Sequence, residues 1–205
     1  MKFGLIGLVV ALLFGVYLLF FSGPGAITNV PADGTSIVAF GDSLVAGVGA
    51  TPGNDFVSQV ATTVGEPIVN LGTSGDTTRD ALARIDEVLD QDPKVVIVLL
   101  GGNDFLQNIP EAETFANLET IIETIHESGS AVLLLGVRGG VLRDNFKEPF
   151  AALANTHNTA YVSDVLDGLI TSPELMSDRI HPNDAGYAII AGRVSPVLAD
   201  MLTQE

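Results

Sequence analysis

Two short segments, VVIVLL (95–100) and AVLLLGV (131–137), carry no polar side chain at any position. A strand with one wet face alternates apolar and polar residues. Runs that are apolar on both faces need cover on both sides, the situation of parallel strands sandwiched between helices. Three further short runs, Ser36–Phe40, Pro67–Leu71 and Thr159–Val165, have the same length and flanks. Longer amphipathic stretches separate and follow them: Asp55–Val64, Thr77–Leu89, Glu113–Ser128, Asn145–Thr156 and Asp184–Leu202. Thr77-x-x-Asp80 resembles a capping box, and Gly129 suits a helix end. Strict alternation of strand and helix predicts an α/β fold, a three-layer α/β/α sandwich around a five-stranded parallel sheet. No internal repeat or low-complexity segment interrupts it.

The chain opens differently. Phe3–Phe21 is an uncharged apolar stretch of 19 residues. At about 1.5 Å rise per residue it spans roughly the ~30 Å hydrocarbon core of a bilayer. No clean small-x-small cleavage site follows it. The stretch is expected to be one N-terminal transmembrane helix that stays attached, with cleavage as a signal peptide and secretion as the alternative. Lys2 before it, and no basic residue after it until Arg79, predict a domain outside the cytoplasm. The domain plan is therefore an anchor at 1–21, a Pro- and Gly-bearing linker at 22–35 and a catalytic-sized domain at 36–205.

Charge narrows the partners. Against 25 acidic residues stand 9 basic ones, for a net charge of −16. No basic cluster is available to neutralise phosphates, which excludes a nucleic-acid partner and disfavours an anionic membrane surface. No obligate protein partner is evident. There is no cysteine, so disulfides, thiolate nucleophiles and thiolate metal ligands are excluded. His126, His157 and His181 lack the spacing of a zinc site.

In open parallel sheets, sites form beyond the carboxyl ends of the strands. The unusual polar residues of this chain fall there. Ser43 follows the first strand in GDSLVAG, GTSGDTT (72–78) the second, GGND (101–104) the third, Arg138 the fourth, and SDRIHPND (177–184) the fifth. Ser43 is either a helix cap or a nucleophile. His181 lies three residues after Asp178, so a carboxylate can hold one imidazole nitrogen while the other activates Ser43. Gly75 can offer a bare backbone N–H, and the Asn103 side-chain amide is a second donor for a developing oxyanion. Arg138 is expected to contact substrate. Asp42, Asp76 and Asp104 read as loop braces or caps, and His126 and His157 as surface histidines. This chemistry needs no metal or organic cofactor. A flavin- or nucleotide-binding module is the competing reading, because GTSGDTT opens a helix and could cradle a phosphate, although no G-x-x-x-x-G-K-[ST] loop is present.

GDSLVAG, the SGDT of NLGTSGDTT, LLGGND and DRIHP, in that order, resemble the four blocks of the SGNH (GDSL-type) hydrolases. The likeness is greatest to the small bacterial thioesterase I, lysophospholipase and arylesterase branch, and it runs over residues 36–205. The resemblance implies a flavodoxin-like sandwich with Ser43 as nucleophile. It implies an oxyanion hole of the Ser43 N–H, Gly75 and Asn103, with Asp178 and His181 completing the triad. The expected activity is hydrolysis of oxy- or thioesters of small-molecule or lipid substrates. Carbohydrate O-deacetylation on the same residues is the alternative. The chain departs from the relatives in RGGVLRDNF (138–146), a Gly-rich loop that helps to shape the acyl pocket in the family.

Overall fold

The five apolar runs become strands β1 (Ser36–Gly41), β2 (Ile68–Gly72), β3 (Pro93–Leu99), β4 (Ala131–Leu135) and β5 (Ala160–Val162) in a computed structural model that describes residues 26–140 and 145–204. They form one sheet in the order β2-β1-β3-β4-β5, and every neighbouring pair is parallel. Strand β4 is buried throughout, and β3 nearly so, as their unbroken apolar sequences require. The order reverses between β1 and β3, so the topology is flavodoxin-like and creates a crevice at their carboxyl ends.

The helices among the described residues are α1 (Ser43–Ala46), α2 (Phe56–Val64), α3 (Thr78–Ala83), α4 (Asp86–Leu89), α5 (Gly102–Leu106), α6 (Glu111–Glu127), α7 (Lys147–His157) and α8 (Asp184–Thr203). Helices α2 and α8 pack together, while α6 packs against both α3 and α7. Right-handed crossovers put these two groups on opposite faces of the sheet. Helix α8 is long and apolar enough to span a bilayer, but it packs on α2 and β5 with Tyr187, Ile190, Val194 and Leu198 buried. It is a core helix.

Four details differ from the sequence reading. The helix expected over Thr77–Leu89 is broken between α3 and α4. Arg84 leaves helical geometry at φ −120°, and its guanidinium reaches back to Asp76 Oδ2 (2.7 Å) and to the carbonyls of Gly41 and Leu71 (3.1 Å each). Helices α1 and α5 were not foreseen; each is a single turn, too short to show a period. Strand β5 ends at Val162 rather than Val165, because Val165 turns back to donate its N–H to the Gly136 carbonyl. Finally, the linker expected over 22–35 is not free where it is described. Ile27 and Val30 pack against the core, and Asn29 Nδ2 donates to the carbonyls of His126, in the last turn of α6, and Ser130, just beyond it. The expected anchor, Phe3–Phe21, lies outside the described residues.

Candidate active site

The first turn of α1 shows that Ser43 is not its cap. The cap is Asp42, whose Oδ1 accepts the Leu44 N–H at 2.9 Å. Ser43 is the first helical residue, so its own N–H has no partner within the helix and its hydroxyl is not spent on capping. The turn is pressed against β2. A Cβ on Gly72 would lie 2.2 Å from the Ala46 nitrogen and 2.6 Å from the Val45 carbonyl carbon, so only glycine permits this approach.

The loop carrying His181 is tied off at its base. Met176 and Pro182 form an isolated bridge, and the Ser177 N–H donates to the His181 carbonyl. Within it, Asp178 Oδ1 accepts the N–H groups of Ile180 and His181, both at 2.8 Å. Its Oδ2 lies 2.8 Å from His181 Nδ1, and His181 Nε2 lies 3.0 Å from Ser43 Oγ. The His181 hydrogen bond, reinforced by the two backbone N–H groups, lowers the Asp178 carboxyl to about 2. Asp178 is thus ionised at neutral pH and accepts from Nδ1–H. That leaves the lone pair of Nε2 facing the serine hydroxyl.

On the other side of Ser43, Gly75 adopts φ +92°, a conformation that costs other residues energy, and its N–H donates to no acceptor among the described residues. Asn103, in the first turn of α5, donates from Nδ2 to the Asp76 carbonyl at 2.9 Å and lies 3.4 Å from Asp42 Oδ2. The Gly75 loop and Asn103 are therefore held together through Asp76.

The acidic residues around them brace. Asp104 is fully buried and accepts the N–H and hydroxyl of Thr78 at 2.9 and 2.6 Å. Asp80 accepts the N–H and hydroxyl of Thr77 in a complete capping box. Two carboxyl groups thus occupy the start of α3, and the Thr77 and Thr78 N–H groups that a phosphate on GTSGDTT would need are already taken. Burial pushes the Asp42 carboxyl up to about 7. Arg84, whose role sequence periodicity could not signal, pairs with Asp76 and stacks over the Phe40 ring at 4.5 Å.

Ser43, Asn103, Arg138 and His181 line one cleft of about 690 Å³, counting the open space at its mouth. Asp178 stands behind His181, and Gly75 is not part of the lining. The walls are otherwise largely apolar, with Leu44, Val137, Leu166 and Ile170 inside. Four large apolar side chains are exposed among the described residues, and three of them, Phe105, Leu106 and Ile180, belong to this cleft. Arg138 is drawn toward Asp164 and Asp167, each 3.7 Å away, so its charge is already answered. Neither His157 nor His126 is the surface histidine expected: the His157 side chain is only 12% exposed and meets Glu119 at 3.3 Å, and His126 is half-buried; neither touches the cleft.

The model of the GDSL-like Lipase/Acylhydrolase family matches residues 39–189. The chain is 33% identical to an arylesterase of Vibrio mimicus over 142 residues, covering 66% of this chain and 71% of that one. It is 29% identical to esterase TesA of Pseudomonas aeruginosa over 179 residues, 82% of this chain and 89% of the relative. Among solved structures, that of TesA superposes with a TM-score of 0.76 at 28% identity, covering 82% of this chain and 99% of TesA. AlinE4, an SGNH-hydrolase esterase, gives 0.65 at 33% identity, with 83% and 97% covered.

Proposed function

Because the chain belongs to the GDSL-like lipase/acylhydrolase family, we propose that Ser43, His181 and Asp178 are the catalytic triad of this carboxylic ester hydrolase. The observation that carries the assignment is the line from Asp178 Oδ2 through His181 to Ser43 Oγ, with separations of 2.8 and 3.0 Å. His181 Nε2 takes the Ser43 proton as Oγ attacks the ester or thioester carbonyl. The tetrahedral oxyanion is received by the N–H groups of Ser43 and Gly75 and by Asn103 Nδ2. His181 returns the proton to the leaving group, and a water activated by the same nitrogen hydrolyses the acyl-enzyme. The apolar walls favour an acyl chain over a sugar, which ranks esterase or thioesterase action above O-deacetylation. Arg138, at the wall, helps to position the substrate.

A fluorophosphonate probe labels the protein on Ser43, and Ser43→Ala abolishes labelling while lowering kcat on the order of 10⁴–10⁶-fold. Labelling that persisted in the variant would refute the assignment. We also read Phe3–Phe21 as a membrane anchor that holds the domain outside the cytoplasm. Its length and lack of charge support this.

A further inference from the structure

Arg179 follows Asp178 in the sequence, two residues before His181, and lines the same cleft as Ser43. Its charge is unanswered. Among the described residues neither a hydrogen bond nor an acidic partner engages its guanidinium, and the neighbouring Asp178 carboxylate is taken up by His181 and two backbone N–H groups. Most of the other described cations are paired, and Lys147, which also lacks a partner among the described residues, lies away from this cleft. Arg79, Arg84, Lys94 and Arg138 each face a carboxylate, and Arg193 donates to two backbone carbonyls. An exposed guanidinium without a partner, at the mouth of an otherwise apolar cleft, stabilises nothing in the fold. It is free to bind an anion from outside.

Position decides which part of the substrate that anion belongs to. His181 Nε2 hands its proton to the departing oxygen or sulfur, so the leaving group lies on the histidine side of Ser43. Arg179 shares the His181 loop, two residues away. The acyl chain has the apolar wall of Leu44, Leu166 and Ile170 instead. We propose that Arg179 is a specificity-determining residue that selects esters whose leaving group carries a negative charge, such as a phosphate or carboxylate. This rests on the reading of Ser43 and His181 as nucleophile and base. It deepens that reading by naming the charge of the alcohol or thiol side. Without Arg179 the net charge of −16 would repel such substrates. With it the cleft mouth is the local exception.

The test uses the full chain in detergent with three phenyl butyrates, identical except for a meta carboxylate, methyl ester or trimethylammonium group. The unmodified enzyme favours the carboxylate over the trimethylammonium ester in kcat/KM by about three- to tenfold, and high salt erodes the ratio. Arg179→Gln removes the preference, Arg179→Lys keeps part of it, and Arg179→Glu reverses it. Only ratios within one variant are compared, so a general loss of activity does not imitate the effect. All three esters give the same butyryl-enzyme, whose hydrolysis follows departure of the charged group. The preference is therefore confined to acylation. Equal kcat/KM values for the three esters, or a preference that survives Arg179→Gln, would overturn the proposal while leaving the triad intact. Failure to hydrolyse any of them would overturn the triad and the proposal together.

Discussion

Asp42 and Asp178 are two carboxyl groups of one site pushed in opposite directions. Burial holds the Asp42 proton up to about 7, whereas His181 and two backbone N–H groups hold Asp178 down to about 2, from a common ordinary value of 3.8. For Asp42 the folded state binds the proton more tightly than the unfolded chain. Its contribution to stability is complete below about pH 4 and is lost as the pH rises through about 7, amounting to at most about 4 kcal/mol. Asp178 has the opposite sign: its contribution is present above about pH 4 and disappears as the pH falls toward 2. Urea unfolding followed from about pH 5 to 8 should show stability declining, and Asp42→Asn, which keeps an acceptor for the Leu44 N–H, should flatten that decline. An unchanged slope in the variant would assign the titration to another group. Asn103 allows a separate test on the oxyanion. Asn103→Ala should lower kcat roughly 10²–10³-fold with little change in KM, because the contact forms mainly in the transition state. A change confined to KM would make Asn103 a binding residue.

Helix α1 is only one turn long and has little stability of its own. Its position comes from its neighbours: the Asp42 cap at one end and the glycine surface of β2 beneath it. Gly72→Ala drives a methyl group into backbone atoms of Val45 and Ala46, which cannot rotate away as a side chain could. The variant should lose about 1–3 kcal/mol of stability. Its activity should fall further than unfolding explains, because displacing α1 carries Ser43 off the 3.0 Å contact with His181. Full activity in a measurably destabilised Gly72→Ala protein would show that α1 does not set the serine. The break between α3 and α4 belongs to the same scale. Arg84 gives up helical geometry to bind Asp76 and the last carbonyls of β1 and β2, and so fixes the loop that holds Gly75.

At the scale of the whole molecule, the proposed anchor and the acidic domain make separable predictions about localisation. A domain of this charge has no electrostatic attraction to anionic lipid. Association with membranes should depend on Phe3–Phe21 alone, so the full chain should pellet with membranes and resist carbonate washing. A chain beginning at Ala26 should be soluble and active. A chain beginning at Ala32 should be less stable, since it lacks the packed side chains of Ile27 and Val30 and the two hydrogen bonds of Asn29. Equal melting temperatures for the two shortened chains would show that this segment contributes nothing. A mature N-terminus between about residues 22 and 30, found by mass spectrometry, would replace the anchor with a cleaved signal.

The sequence by itself determined the layered α/β fold. Apolar runs such as 95–100 and 131–137 can be buried in few other ways, and side-chain period is a local property. It also marked Ser43, Gly75, Asn103, Asp178 and His181, because parallel strands all deliver their carboxyl ends to one edge. Tertiary structure alone decided that Asp42, not Ser43, caps α1, that Arg84 breaks a helix to reach two strand ends, and that residues 27–30 belong to the domain. It likewise decided that Arg138 is matched by Asp164 and Asp167, while Arg179 has no partner among the described residues. Apart from the local Asp42 cap, these outcomes depend on groups distant in the chain that meet only in the fold, such as Arg84 with Gly41 across 43 residues and Asn29 with Ser130 across 101. No local pattern encodes such a meeting, because burial and charge pairing are settled only when distant segments compete for the same space.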